Sequence, residues 1–70
     1  MERNRLREVL LNVEGITPSD LAKETGISSA AIARYLNGAK PKEAYIAKIV
    51  IAINKLASTK KYERSDVFPY

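Results

Sequence analysis

The sequence predicts an all-α domain, a compact bundle of four to five short helices, and three observations carry that expectation. Apolar residues recur at helical spacing in two stretches, no alternating apolar and polar run suggests a strand, and caps and breakers punctuate the chain at short intervals. The chain of 70 residues suits one domain spanning 1–70, with 58–70 as its tail. A body of this size buries only about 60% of the surface that its unfolded chain exposes, so its core has little to spare.

The first helix is expected from Leu6, Val9, Leu10 and Val13 at i, i+3, i+4 and i+7, with Arg3, Arg5, Arg7, Glu8 and Asn12 on the other side. Gly15 supplies its stop. Thr17-Pro18-Ser19-Asp20 is a compact start signal for the second helix: a threonine cap, proline where no N–H is missed, and an acid at the third position. Gly26 ends that helix early, and Ser28 is the next cap. Two helices joined by a turn of about three or four residues have the helix-turn-helix spacing. The third helix runs from about Ser29 to Leu36, with Ile32, Tyr35 and Leu36 inward and Asn37-Gly38 closing it. Its outward face is Ser29, Ala30, Ala33 and Arg34. After the loop Ala39-Lys40-Pro41-Lys42, the fourth helix carries Ile46, Ile49, Val50, Ile53 and Ala57, with Leu56 beside them. Tyr45 and Ile51 lie off that stripe, so this helix is either covered on more than one side or meets another subunit. A short fifth helix is expected before Pro69.

Composition narrows the chemistry. Without cysteine or histidine there is no disulfide, no thiolate or imidazole metal ligand and no histidine acid-base catalysis, so no metal and no cofactor are expected. Glu63 and Asp66 stand at helical spacing, yet paired surface acids are read as solvated charges. No nucleophile, base and orienting group can be assembled, so no catalytic residue and no enzyme activity are expected. The apolar run Ile49 to Ile53 is too short to span a bilayer, and the charged start Met1-Glu2-Arg3-Asn4-Arg5 leads into no signal-peptide core. A cytoplasmic protein with no membrane partner is expected. The net charge of +4 favours a polyanionic partner through phosphate neutralisation.

From Ile16 to Ile53 the chain resembles the lambda-repressor-like helix-turn-helix family, the Cro/repressor and Xre-type regulators. The residues that carry the likeness are Leu21-Ala22, Gly26-Ile27-Ser28, Ile32, Tyr35 and Asn37-Gly38, then Pro41, the comb Ile46, Ile49, Ile53, and the ending Phe68-Pro69. Each also has a physical reason. Ala22 lets the two helices cross closely, Gly26 takes the turn, and Leu21, Ile27, Ile32 and Tyr35 fix the crossing angle.

The resemblance implies a sequence-specific regulator of transcription that binds double-stranded DNA. It places base contacts on Ser29, Ala30, Ala33 and Arg34. Arg34 is the strongest candidate, because a guanidinium donates bidentately to guanine, and the alternatives for it are a phosphate contact or a solvated charge. Phosphate contacts are expected from Thr17, Ser19 and Ser28 at helix starts, and from Asn37, Lys40 and Lys42. Many phage repressors carry glutamine where this chain has Pro18 and Ser29, so no operator preference is implied. Arg3, Arg5 and Arg7 either form an arm along the DNA backbone or a solvated face, and the same holds for Lys60, Lys61 and Arg64.

The expected mode is operator occupancy by a homodimer on an inverted repeat, in a phage, prophage or plasmid setting, with no small-molecule ligand. Bound to DNA, it would be nucleoid-associated. Leu56, Tyr62, Phe68 and Tyr70 are the candidate dimer contacts, with packing back onto the monomer as the alternative for Phe68. The competing class is a protein-interaction module of antitoxin or anti-repressor type that keeps the helix-turn-helix body.

Overall fold

The apolar comb of the fourth helix is where the chain folds together. A computed structural model describes residues 4–13, 15–57 and 61–69. The helices in chain order are α1 (Leu6–Asn12), α2 (Pro18–Thr25), α3 (Ser29–Leu36), α4 (Glu43–Leu56) and α5 (Arg64–Val67), with no strand among the described residues. Ile46, Ile49, Ala52 and Ile53 of α4 are buried, and both α2 and α5 pack against that helix. Completing the ring, α3 packs on α2, and α1 packs on α3 and α5. Leu6, Leu21, Ile32, Val67 and Phe68 fill the centre without solvent exposure of consequence.

The expected caps are present. Thr17 and Asp20 form a reciprocal capping box at the start of α2, with Asp20 N–H donating to Thr17 Oγ1 at 3.2 Å and Thr17 N–H donating to Asp20 Oδ2 at 3.0 Å. Gly26 ends α2 at φ 75°, and an added Cβ there would meet nothing within 4 Å. Glycine is therefore favoured at this turn by the left-handed backbone alone. In contrast, α1 stops sooner than Gly15 would require: Val13 already leaves the helix at φ −112°, and Gly15 makes the following turn at φ 88°.

Two expectations about the fourth helix divide. Tyr45 is half-buried against the core, with the ammonium groups of Lys42 and Lys48 each 6.0 Å from its ring centroid. Ile51 stays 67% exposed.

The tail turns inward, against the expected dimer role of Tyr62 and in line with the monomer-packing alternative for Phe68. Phe68 is 1% exposed and Tyr62 is 7% exposed, both within this chain's own core, so neither is available to a second copy. Asn54 holds the tail in register: its Nδ2 donates to Tyr62 O at 2.7 Å, and Tyr62 N–H donates to Asn54 Oδ1 at 2.6 Å. Glu63 and Asp66 are exposed charges that also form the capping box of α5, where Glu63 N–H donates to Asp66 Oδ2 at 2.8 Å. Arg64, expected as a solvated or DNA-facing cation, bonds Glu43 at the start of α4, 2.7 Å from Nη1 to Oε2. That contact lowers the pKa of the Glu43 carboxyl. Arg3, Lys60 and Tyr70 lie outside the described residues.

Since Phe68 is spent on the core, Phe68→Ala is expected to cost about 3–5 kcal/mol of stability, as for other buried aromatics. Urea unfolding checks this. A midpoint unmoved by the substitution would contradict the core placement.

Candidate nucleic-acid interface

Helix α3 has a dry side and a wet side. Ile32 and Tyr35 are buried and Leu36 is half-buried, while Ser29, Ala30, Ala33 and Arg34 are exposed. The four expected base-contacting positions therefore share the solvent side of one helix. Ser28 caps it, accepting from Ala31 N–H at 3.2 Å, and Ile32 N–H bonds the Ser28 carbonyl. With those two amides used, the N–H groups of Ser29 and Ala30 remain for solvent or a ligand, as helix starts dictate. Three of the four outward side chains are small, so the α3 backbone can come close to a surface.

Charge on this stretch has one sign. From Ser29 to Lys42 there are cations at 34, 40 and 42 and no acid. Arg34 is exposed, and its guanidinium makes no hydrogen bond or ion pair with any described residue. Ion pairs are also made outside this stretch: Arg5 with Glu8 at 3.5 Å, Lys55 with Glu24 at 2.7 Å, and Arg64 with Glu43. Lys55 donates to the Glu24 carboxylate, which raises the Lys55 pKa, and the pair ties α2 to α4. Exposed pairs of this kind add little stability, but each neutralises an acid.

The start of α2 offers less than the sequence suggests. Pro18 has no N–H, and the amide of Asp20 is taken by Thr17. Ser19 supplies the remaining first-turn amide together with its hydroxyl, and it is exposed. The Asp20 carboxylate stands at the same end. Its pKa is lowered chiefly by the backbone N–H of Thr17, then by the Thr17 side chain and the charge of Lys23.

The end of α3 is held in a way that local patterns did not reveal. Asn4 Nδ2 donates to both Tyr35 O and Ala39 O at 2.8 Å, and Arg7 Nη2 donates to Asn37 Oδ1 at 2.9 Å. The partners are about 30 residues away, and no spacing rule links them. Asn37, Lys40 and Lys42 follow this anchored end and are exposed. Among the described residues, no group of acids suited to a metal ion exists, and no helix is long and apolar enough to cross a membrane.

The family model described as Helix-turn-helix matches residues 6–57, from the start of α1 through the end of α4. No curated protein and no solved structure matches the chain.

The Thr17–Asp20 box makes α2 sensitive to acid. A carboxyl whose pKa is lowered by folding adds stability above its unfolded pKa, and that contribution is lost as pH falls through the folded value. Asp20→Asn is therefore expected to be less stable than the parent at neutral pH, with the gap closing below about pH 4. Urea midpoints across a pH series test this, and a gap that stays constant down to about pH 3 would contradict it.

Proposed function

The chain belongs to the lambda-repressor-like helix-turn-helix family of DNA-binding transcriptional regulators, and from that premise we propose that it is a Cro/repressor-like protein that blocks transcription by occupying an operator as a homodimer. The observation that carries this reading is the unpaired Arg34 on an acid-free, small-residue face of α3. A helix whose outward side chains are short can sit deep in the major groove, where one long donor then reaches a base edge.

In this reading Arg34 donates to guanine O6 and N7, Ser29 hydrogen-bonds a neighbouring base, and the methyl groups of Ala30 and Ala33 pack on thymine methyls. Ser19, with Thr17 beside it, takes a phosphate at the start of α2, and Ser28 does so at the start of α3. Asn37, Lys40 and Lys42 take phosphates after α3 and set register without reading sequence. Sparse direct contact leaves room for DNA shape to contribute to preference. The single domain spans 1–70.

An inverted-repeat operator needs two copies related by a twofold axis. With Tyr62 and Phe68 buried, the dimer contact falls to Leu56 at the end of α4 and to the exposed Ile51 on the same helix. Their apolar surface is what a second copy would cover. An antitoxin-like or anti-repressor role is less well supported, because the cations around α3 suit phosphates.

Selection from a random DNA pool tests the proposal. The parent chain is expected to enrich an inverted repeat, and Arg34→Ala to lose preference at one position of each half-site, worth about 1–3 kcal/mol of discrimination. An unchanged preference would remove Arg34 as a reader.

A further inference from the structure

An open groove runs between α1 and the end of α3, lined by Arg5, Arg7, Leu11, Leu36 and Asn37 among others. Its edge shows an unusual distribution of donors. Arg7 spends one N–H on Asn37 Oδ1, and its guanidinium has no carboxylate partner among the described residues. Because Oδ1 faces Arg7, the Asn37 Nδ2 group is turned away from it, and Nδ2 has no partner among the described residues. The acid that lines the same groove, Glu8, is paired with Arg5.

Helix ends of this polarity repel anions, since the last carbonyls and the macrodipole are negative. Here three of those carbonyls are covered. Ala33 O accepts from Asn37 N–H, Arg34 O accepts from Asn37 and Ala39 N–H, and Tyr35 O accepts from Gly38 N–H and Asn4 Nδ2. What faces outward is a guanidinium and an amide NH2.

We propose that Arg7 and Asn37 form one phosphate-binding unit, in which Arg7 both contacts a DNA phosphate and orients the Asn37 amide to donate to it. Arg7 thus extends the backbone footprint of α3 onto α1, and Leu11 and Leu36 give the groove an apolar floor against deoxyribose. The inference rests on the DNA-binding reading above. It adds a residue to the footprint that the α3 face and its loop do not include.

The test needs no operator, because phosphate contacts dominate binding to any duplex. Affinity of the full chain for a mixed-sequence duplex is measured over a salt series. Arg7→Gln, which keeps a donor for Asn37 but no charge, is expected to weaken binding roughly tenfold and to reduce the slope of log affinity against log salt by about one. Arg7→Lys restores the slope. Asn37→Ala weakens binding of the parent, yet costs little more in an Arg7→Ala background, where the amide is no longer oriented.

A steep parental slope that Arg7→Gln leaves unchanged would overturn this inference and leave DNA binding intact. A flat parental slope would overturn both. If Arg7→Gln lowered the urea midpoint and the affinity together, the pair would be a structural tie between α1 and α3, and the inference would fail.

Discussion

An isolated helix of eight residues does not persist in water, so α3 exists only because its neighbours hold it. Both ends are fixed by hydrogen bonds and one side by burial. At the start, the Thr25 hydroxyl donates to Leu21 O at 2.6 Å and accepts from Ile27 N–H at 3.2 Å, which braces the turn before Ser28 caps the helix. Ile32 and Tyr35 sink into the core shared with α2 and α4. At the far end Asn4 grips two carbonyls at once. What remains exposed is the part of α3 with nothing structural to do, and that is the part available to DNA.

The tail belongs to the same scaffold. Arg5 N–H donates to Val67 O at 2.6 Å, one residue from the asparagine that clamps α3. Asn54 fixes Tyr62, and Val67 and Phe68 are buried beneath α1 and α4. A continuous set of contacts therefore runs from α5 through residues 4–7 to the end of α3. Burying the tail matters in a small domain, where each buried aromatic is a large share of the margin between burial and conformational entropy. The family match stops at residue 57, so this part of the scaffold is read from the structure alone.

The sequence made the local features legible and left the distant ones hidden. The α2 and α3 boundaries follow from Thr17-Pro18, Gly26, Ser28 and Asn37-Gly38, because caps and breakers act on their own backbone within a few residues. The inner and outer faces of α3 follow from helical periodicity. Aromatic residues after a completed unit look available to a second copy, which leaves Tyr62 misplaced and Phe68 open between dimer and core; nothing in their spacing shows that Asn54 turns the chain back over α4. Arg7 looked like one of three interchangeable cations, and only the folded structure distinguishes it by setting it 2.9 Å from Asn37. Side-chain to backbone bonds across 30 or more residues leave no pattern in a single sequence.

Every DNA contact proposed for this chain depends on the outward face of α3 meeting the duplex. Mapping backbone amide chemical shifts of the full chain while a duplex is added tests it residue by residue. The largest changes are expected at 28–37 and the loop to Lys42, with smaller ones at Ser19 and Arg7, and none at α5 beyond those of salt alone. Shifts centred on α5 or on the Ile51 side of α4, with 28–37 unchanged, would contradict it.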